Sequence, residues 1–240
     1  MAAINGFNRY YCPICNRYVP FFLKSGVKSK IFSQLDIVGG GYRRKVKCPI
    51  CKANDRIRWL DYVIENKTDI YQNADNVILH IAPERCIEKK IRNVSNYYIS
   101  GDIQEGKADE TVDLTNMLFE EAKFDYVIAN HVLEHISDER KAIEEIKRVL
   151  KPSGKFLFSM PLCESQDTYE SSEKLTEADR LKLYGQKDHV RLYGRNTKNH
   201  MEGYGLHVDE YIVQDLLSEK EIQRLRLLRR DRIFMASVHQ

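Results

Sequence analysis

Residues 124–162 read FDYVIANHVLEHISDERKAIEEIKRVLKPSGKFLFSMPL, and this stretch sets the fold class. FDYVIAN (124–130) is short, apolar and rich in aromatic and β-branched side chains, the composition of a buried strand. SDERKAIEEIKRVLKPSG (137–154) has helical spacing, with Ile143, Ile146, Val149 and Leu150 on one face. Ser137 is placed as its N-cap, Asp138 and Glu139 sit in the first turn, where the helix dipole favours acids, and Pro152 with Gly154 stops it. KFLFSMPL (155–162) is then a second apolar strand. Strand, helix and strand in succession, with short, largely apolar strands, imply a parallel sheet covered on both faces.

The pattern continues outward from this unit. VILHIA (77–82) and YYISGDI (97–103) are strand candidates upstream. Downstream, GLHVDEYIV (205–213) and DRIFMASV (231–238) flank SEKEIQRLRLL, a helix with Ser218 as N-cap. A short helix begins near Thr176, where Thr176 and Asp179 can form a capping box. DRIRWLDYVIEN (55–66) places Ile57, Leu60 and Ile64 at helical spacing, with Trp59 read as packing. The expected organisation is a small module over residues 1–60 and an α/β domain over 61–240, with 164–204 as a loop or lid on the substrate side.

Six cysteines occur in the chain, and four of them form two CPIC tetrapeptides, Cys12 with Cys15 and Cys48 with Cys51. Two such turns supply the four tetrahedral thiolates of a structural zinc ion, a zinc-ribbon-like arrangement with no open coordination position. Cys86 and Cys163 stand alone and are read as small buried residues. With 38 basic against 35 acidic residues, the net charge of +3 implies no polyanionic partner. Arg43, Arg44, Lys45 and Lys47 in RRKVKC are either phosphate contacts or a solvated face. The late arginines Arg224, Arg226, Arg229, Arg230 and Arg232 either bind nucleic acid or a nucleotide diphosphate or, as their alternation with leucines argues, lie on a helix with one wet face. No apolar stretch reaches membrane-spanning length and the N-terminus lacks a basic-then-apolar leader, so the expected location is cytoplasmic, without membrane association.

In an open parallel sheet, ligands collect beyond the carboxyl ends of the strands, near the point where strand order reverses. Asp102 ends the second strand, about 20 residues beyond the HIAPE turn, where a ribose-binding acid stands in dinucleotide folds. His80, on a strand otherwise apolar, is read as a satisfied core histidine, and Asp125 as structural.

The run 124–162 resembles the segment from the fourth to the fifth strand of class I S-adenosylmethionine-dependent methyltransferases. The pairing of HIAPE (80–84) with DLTNMLF (113–119) and GQKDHVRLYG (185–194), behind a cysteine module, is similar to methyltransferases of bacterial surface-polysaccharide gene clusters. This resemblance spans roughly 55–240 and implies a Rossmann-like, mostly parallel sheet with helices on both faces. It also implies S-adenosylmethionine as cofactor. The usual acid and three glycines of the first cofactor loop fall on His80, Ala82, Glu84 and Cys86, so Pro83 and Ala82 must shape a turn that glycine shapes elsewhere. Glu84 either meets the cofactor's amino group or is a solvated turn acid. The resemblance implies Asp102 at the ribose, Asp113 at the adenine amino group in competition with Asp109 and Glu110, and Ile103 and Leu114 flanking the ring. Asn130 and His131 fall beside the methionine portion.

Methyl transfer requires an acceptor aligned with the methyl-to-sulfur bond, and a hydroxyl acceptor also requires a base. His189 in KDHVRLYG is one candidate, with Asp188 orienting it and Arg191 binding an anionic group; His131 is the second. The competing reading of this cluster is a polar loop whose charges satisfy one another. Gln186 and Tyr193 are candidates to line the same pocket, and His135 is read as packing or capping within its helix. The function expected is methylation of an oxygen on a sugar, glycan or similar small acceptor. Two rivals stand beside it: an RNA methyltransferase using the cysteine module to hold RNA, and a binding protein that kept the fold and lost the cofactor.

Overall fold

The computed structural model describes residues 9–28 and 30–238. Most of the N-terminal residues from which the absence of a leader was read lie outside the described residues. Helix α1 (Asp55–Lys67) comes first in the main unit, capped by the Asn54 side chain on the Ile57 amide. It is followed by β1 (Val77–Ile81), α2 (Arg85–Arg92), β2 (Tyr97–Asp102), β3 (Glu110–Thr111), β4 (Phe124–Asn130), α3 (Glu139–Val149) and β5 (Leu150–Ser159). The chain closes with β6 (Leu206–Ile212) and β7 (Arg232–Val238).

These strands form one sheet in the order β6-β7-β5-β4-β1-β2-β3. The pairs β5–β4, β4–β1, β1–β2 and β2–β3 are parallel, and β7 runs antiparallel to both its neighbours. From β1 the chain proceeds outward through β2 and β3, then returns to lay β4 on the other side of β1. The strand order therefore reverses between β1 and β4, and beyond their carboxyl ends lies the place where open α/β sheets form their ligand crevice.

Alternation along the strands divides the core into two layers. Leu79, Ile81, Val127, Ala129, Phe156 and Phe158 point to one face, where Ala142, Ile143, Ile146 and Val149 of α3 cover them. Ile78, Ile128, Leu157, Ile233 and Met235 point to the other, against Trp59, Leu60, Val63 and Ile64 of α1 and Ile87 and Ile91 of α2. Trp59 is completely buried, in agreement with a packing role.

Helix α3 begins later and ends earlier than its sequence suggests. Its N-cap is Asp138, whose carboxylate accepts from the Lys141 amide, and not Ser137. It stops at Val149, because the residue preceding a proline avoids the helical region and Pro152 has no amide proton to continue the ladder. Residues 151–154 instead lie in an irregular start of β5, where the register against β4 shifts. Thr176 forms the capping box its sequence suggests, and Ser218, expected as an N-cap, also forms a capping box, with Glu221. The helix after Ser218 ends at Leu225, with Arg226 in the left-handed region, so most of the late arginines lie beyond it.

The N-terminal residues contribute a hairpin, Tyr10–Cys12 with Arg17–Val19, and a second antiparallel pair, Leu23–Ser25 with Arg43–Lys47. Ile37–Val38 pairs with Leu162–Cys163, which in turn pairs with Tyr193–Gly194, so this region is stitched to the segments that follow β5. Arg43 is neither a phosphate contact nor on a solvated face: it holds Asp55 through two bonds of 2.8 and 2.9 Å and donates to the Gly40 and Gly41 carbonyls. Arg58, 1% exposed, donates to the carbonyls of Ala53, Leu225 and Arg226 and lies over the Phe22 ring at 4.3 Å. Among the described residues no helix is long and apolar enough to cross a membrane.

Arg58 thus fastens the cysteine-bearing region to the C-terminal turn. Arg58→Met takes the side-chain donor from the Leu225 and Arg226 carbonyls, Ala53 keeping the Cys48 amide, and the folded state is expected to lose about 3 kcal/mol in urea denaturation. An unchanged midpoint would show that these contacts contribute nothing.

Candidate functional site

Across the floor of the crevice runs a chain of hydrogen bonds drawn from four adjacent strands. The Tyr98 hydroxyl (β2) meets His80 Nδ1 (β1) at 3.0 Å, and His80 Nε2 meets Glu84 Oε2 at 3.1 Å. The other Glu84 oxygen accepts from the Asn130 amide (β4), whose carbonyl accepts from the Ser159 hydroxyl (β5). His80 is indeed a buried, satisfied histidine, but its partner is the turn acid Glu84, which is therefore not a solvated residue. Burial alone would raise the Glu84 carboxyl; the bonds from His80 and Asn130, with the charge of His80, hold it below the usual range.

Glu84 is the residue preceding α2, yet its side chain does not cap that helix. Its carboxylate is spent on the strand ends, which leaves the first amides of α2 directed at the crevice without a side-chain cap. Two residues before Glu84, Ala82 adopts φ +47°, the left-handed region that glycine normally supplies, and donates its amide to the Gly101 carbonyl at 2.7 Å. The missing glycines are thus replaced in conformation as well as in position: one alanine takes the left-handed turn, and Pro83 fixes the next residue.

At the β2 end, Asp102 uses one carboxylate oxygen to accept from the Gln104 amide at 2.8 Å. The neighbouring Ile103 is 63% exposed, while Leu114 is buried in the core. Asp113 turns one oxygen to the Thr115 amide and hydroxyl, both at 2.8 Å. The Val112 amide bonds to the Asp102 carbonyl, which places the 112–114 turn beside Asp102. Asp109 is withdrawn from competition, since it bonds to Arg92 and to the amide and hydroxyl of Ser100. Asp125 accepts from the Val77 amide and from Lys151, a structural role.

His131 follows β4 with φ +59°, and its Nδ1 lies 3.2 Å from both Glu134 Oε1 and Arg56 Nη1. Burial, with the nearby Arg56 and Arg43 charges, holds His131 well below its ordinary value, while burial pushes Glu134 up to about 8. His131 also lines a cavity of about 10 Å³ closed by Val38 and Gly39, where Arg56 Nε and Asp231 Oδ2 have no partner. That is room for one water molecule. Glu134 and Arg56 carried no distinguishing sequence signal; only the fold sets them against His131.

The KDHVR cluster is dispersed by the structure. Arg191, 2% exposed, donates to the carbonyls of Leu133, Ile136 and Ser137 and to Glu170, so it supports the loop after β4 and has no donors to offer an anion. Asp188 faces His135 and does not orient His189, whose two nitrogens have no partner. His189 is buried, and that burial lowers it to about 4. His135 does not pack within a helix; it ends the short turn Leu133–His135, partly exposed. Tyr193 is fully buried with its hydroxyl on Glu139, so it lines no pocket. Cys163 is buried as expected, whereas Cys86 is only half-buried.

The four motif cysteines converge, with Sγ atoms of Cys12 and Cys51 3.6 Å apart and those of Cys15 and Cys48 3.9 Å apart. A disulfide needs sulfurs at about 2 Å, whereas four thiolates at about 2.3 Å from a tetrahedral zinc ion stand about 3.8 Å apart. The donor set and spacing fit such an ion.

Two outcomes test this geometry. Ala82→Val should cost about 2 kcal/mol, because a β-branched residue resists positive φ, whereas Ala82→Gly should be neutral or up to about 1 kcal/mol more stable; equal stabilities for the two variants would contradict the left-handed turn. The Glu84 carboxyl is held below its unfolded value, so its contribution is present above about pH 4.3 and is lost as pH falls through the lower folded value. Glu84→Gln should therefore show a shallower loss of stability in urea melts taken between neutral pH and about pH 3.

Comparison with known proteins agrees with this architecture. A family model described as a methyltransferase domain matches residues 85–158, from α2 into β5. No curated protein matches the chain in sequence. Among solved structures, the [4+2]-cyclase SpnF superposes with a TM-score of 0.52 at 16% identity, covering 80% of this chain and 79% of its own. The YcgJ protein of Bacillus subtilis gives 0.49 at 14% identity over 75% of this chain and 98% of its own. The PH0226 protein of Pyrococcus horikoshii OT3 gives 0.46 at 15% identity over 76% and 92%. The chain has the Rossmann-like α/β fold of class I methyltransferases, with a mostly parallel central sheet.

Proposed function

We propose that this protein is a methyltransferase that moves a methyl group from S-adenosylmethionine to an oxygen of a sugar or similar small acceptor. The observation that carries the reading is the juxtaposition at the β1/β4 reversal, where the left-handed Ala82 turn and the acid Asp102 lie at the carboxyl ends of adjacent strands. The match of 85–158 to a methyltransferase domain supports it. Because the fold also serves the cyclase SpnF, the site must carry the argument.

S-adenosylmethionine, when bound, supplies an electrophilic methyl group on a sulfonium. Asp102 would hold the ribose hydroxyls, the exposed Ile103 would lie against the adenine, and Asp113 would accept from its amino group, while Leu114, expected to flank the ring, is part of the core. The uncapped start of α2, after Ala82 and Pro83, would receive the carboxylate of the methionine portion. Glu84, held as a carboxylate, and Asn130 would attract its ammonium group. His131 is the base in this proposal, its ring held in place by Glu134 and Arg56. The depressed value keeps that ring neutral near pH 7. The four cysteines would hold a structural zinc ion without taking part in the reaction.

For the RNA alternative, a groove of about 1,100 Å³ between the N-terminal region and residues 219–230 is rimmed by basic side chains, of which Arg43, Arg229 and Arg230 are paired with carboxylates, while Lys28, Lys30, Arg44 and Arg226 also line it. Incubation with labelled S-adenosylmethionine and a panel of sugar nucleotides, glycans, RNAs and small metabolites tests the reading. Transfer to an alkali-stable ether on a sugar is expected. Asp102→Ala should weaken cofactor binding about 100-fold by calorimetry, as expected for two lost charge-assisted bonds. Absence of any cofactor binding by the wild-type chain would instead favour a binding protein that retains only the fold.

A further inference from the structure

Two short segments, the Leu133–His135 turn and the loop preceding Arg191, bring together side chains used neither by the core nor by the crevice floor. Glu134, His135 and His189 each offer one ligand atom, and these atoms lie within 4.8 Å of one another. His189 is 1% exposed with both ring nitrogens unpartnered, and Glu134 is equally buried with Oε2 unpartnered. Buried polar atoms in native structures are almost always paired, so this cluster calls for a polar occupant. Its chemistry narrows the choice. Two imidazoles and one carboxylate, converging with positions left open, make up the donor set of divalent transition-metal sites.

The scaffold around the cluster is firm. The Val190 amide bonds to the Glu134 carbonyl at 2.9 Å, and Arg191 holds the carbonyls of Leu133 and Ile136 on either side of the turn. The rings of His135 and His189 meet edge to face with centroids 4.8 Å apart. The Asp188 carboxylate lies 3.3 Å from His135 Nδ1, the contact by which carboxylates orient metal-bound imidazoles through their second nitrogen. Glu134 Oε1 is engaged with His131, which leaves the unpartnered Oε2 to face an ion.

We propose that Glu134, His135 and His189 form a second metal site, separate from the four cysteines, which takes a divalent transition ion such as Zn²⁺ or Co²⁺ through nitrogen and oxygen ligands. At least one coordination position is left for water or a ligand oxygen. The site stands whether or not the protein transfers methyl groups, because it rests on ligand geometry and unpaired buried atoms alone.

The full chain, reduced and stripped of metal, is titrated with Co²⁺ and followed by absorption, and its Zn²⁺-loaded form is counted by elemental analysis. A class of ion with weak d–d bands and no thiolate charge transfer is expected beside the thiolate-bound class. His135→Gln and His189→Gln should each abolish the weak class and lower the metal count by one ion per chain, while Cys12→Ser should spare it. If His189→Gln does not fold, His135→Gln decides alone, since its ring is partly exposed. The proposal is overturned if no thiolate-free class is present, or if that class survives both histidine substitutions.

Discussion

Everything at the ligand face of this protein depends on the carboxylate of Glu84. It cannot be left unpaired in a partly buried crevice, and it is satisfied only when β1 and β4 present His80 and Asn130 to it at the same height. Tyr98 and Ser159 extend the same chain to β2 and β5. A polar ladder of this kind has one good register, because a slip of one residue would turn His80 or Asn130 to the opposite face of the sheet. It also explains the conformation of the turn. For Glu84 to reach back to the strand ends, the chain must reverse within Ala82 and Pro83, and the left-handed Ala82 provides that reversal.

The N-terminal region meets the sheet through charges more than through apolar surface. Arg43, Arg56 and Arg58 enter the interior beside Asp55 and Asp231, and each finds carbonyls or carboxylates there. Pairs of this kind are costly to break one partner at a time, so they specify a docking geometry even where they add little net stability. One consequence is that Gly39 and Val38, from the N-terminal region, help to enclose His131. The cysteine cluster of the same region would hold the hairpins that present Arg43.

The alternating strands, the parallel sheet, the Thr176 capping box and the two cysteine pairs were legible in the sequence because each is a local or periodic signal. The position of Asp102 at the end of the second strand was legible by its distance from the first. The KDHVR cluster was not. Residues adjacent in sequence carried the expectation of a shared pocket, yet in three dimensions Arg191 faces carbonyls of the 133–137 turn, Asp188 faces His135, and His189 is enclosed. Loop side chains follow no period, so their partners are set by whatever the tertiary packing brings near.

The sequence by itself determined which segments are strands and helices, where the thiolates lie, and which strand ends carry acids, since hydrophobic period and residue spacing act within a few residues. Only the tertiary structure decided that Ala82 stands in for glycine, that Glu84 binds two strands, and that Glu134 joins His131 to the His135 and His189 cluster. Those contacts span up to 55 positions along the chain, from Glu134 to His189, and their energies depend on burial and mutual orientation, which exist only once the sheet has formed.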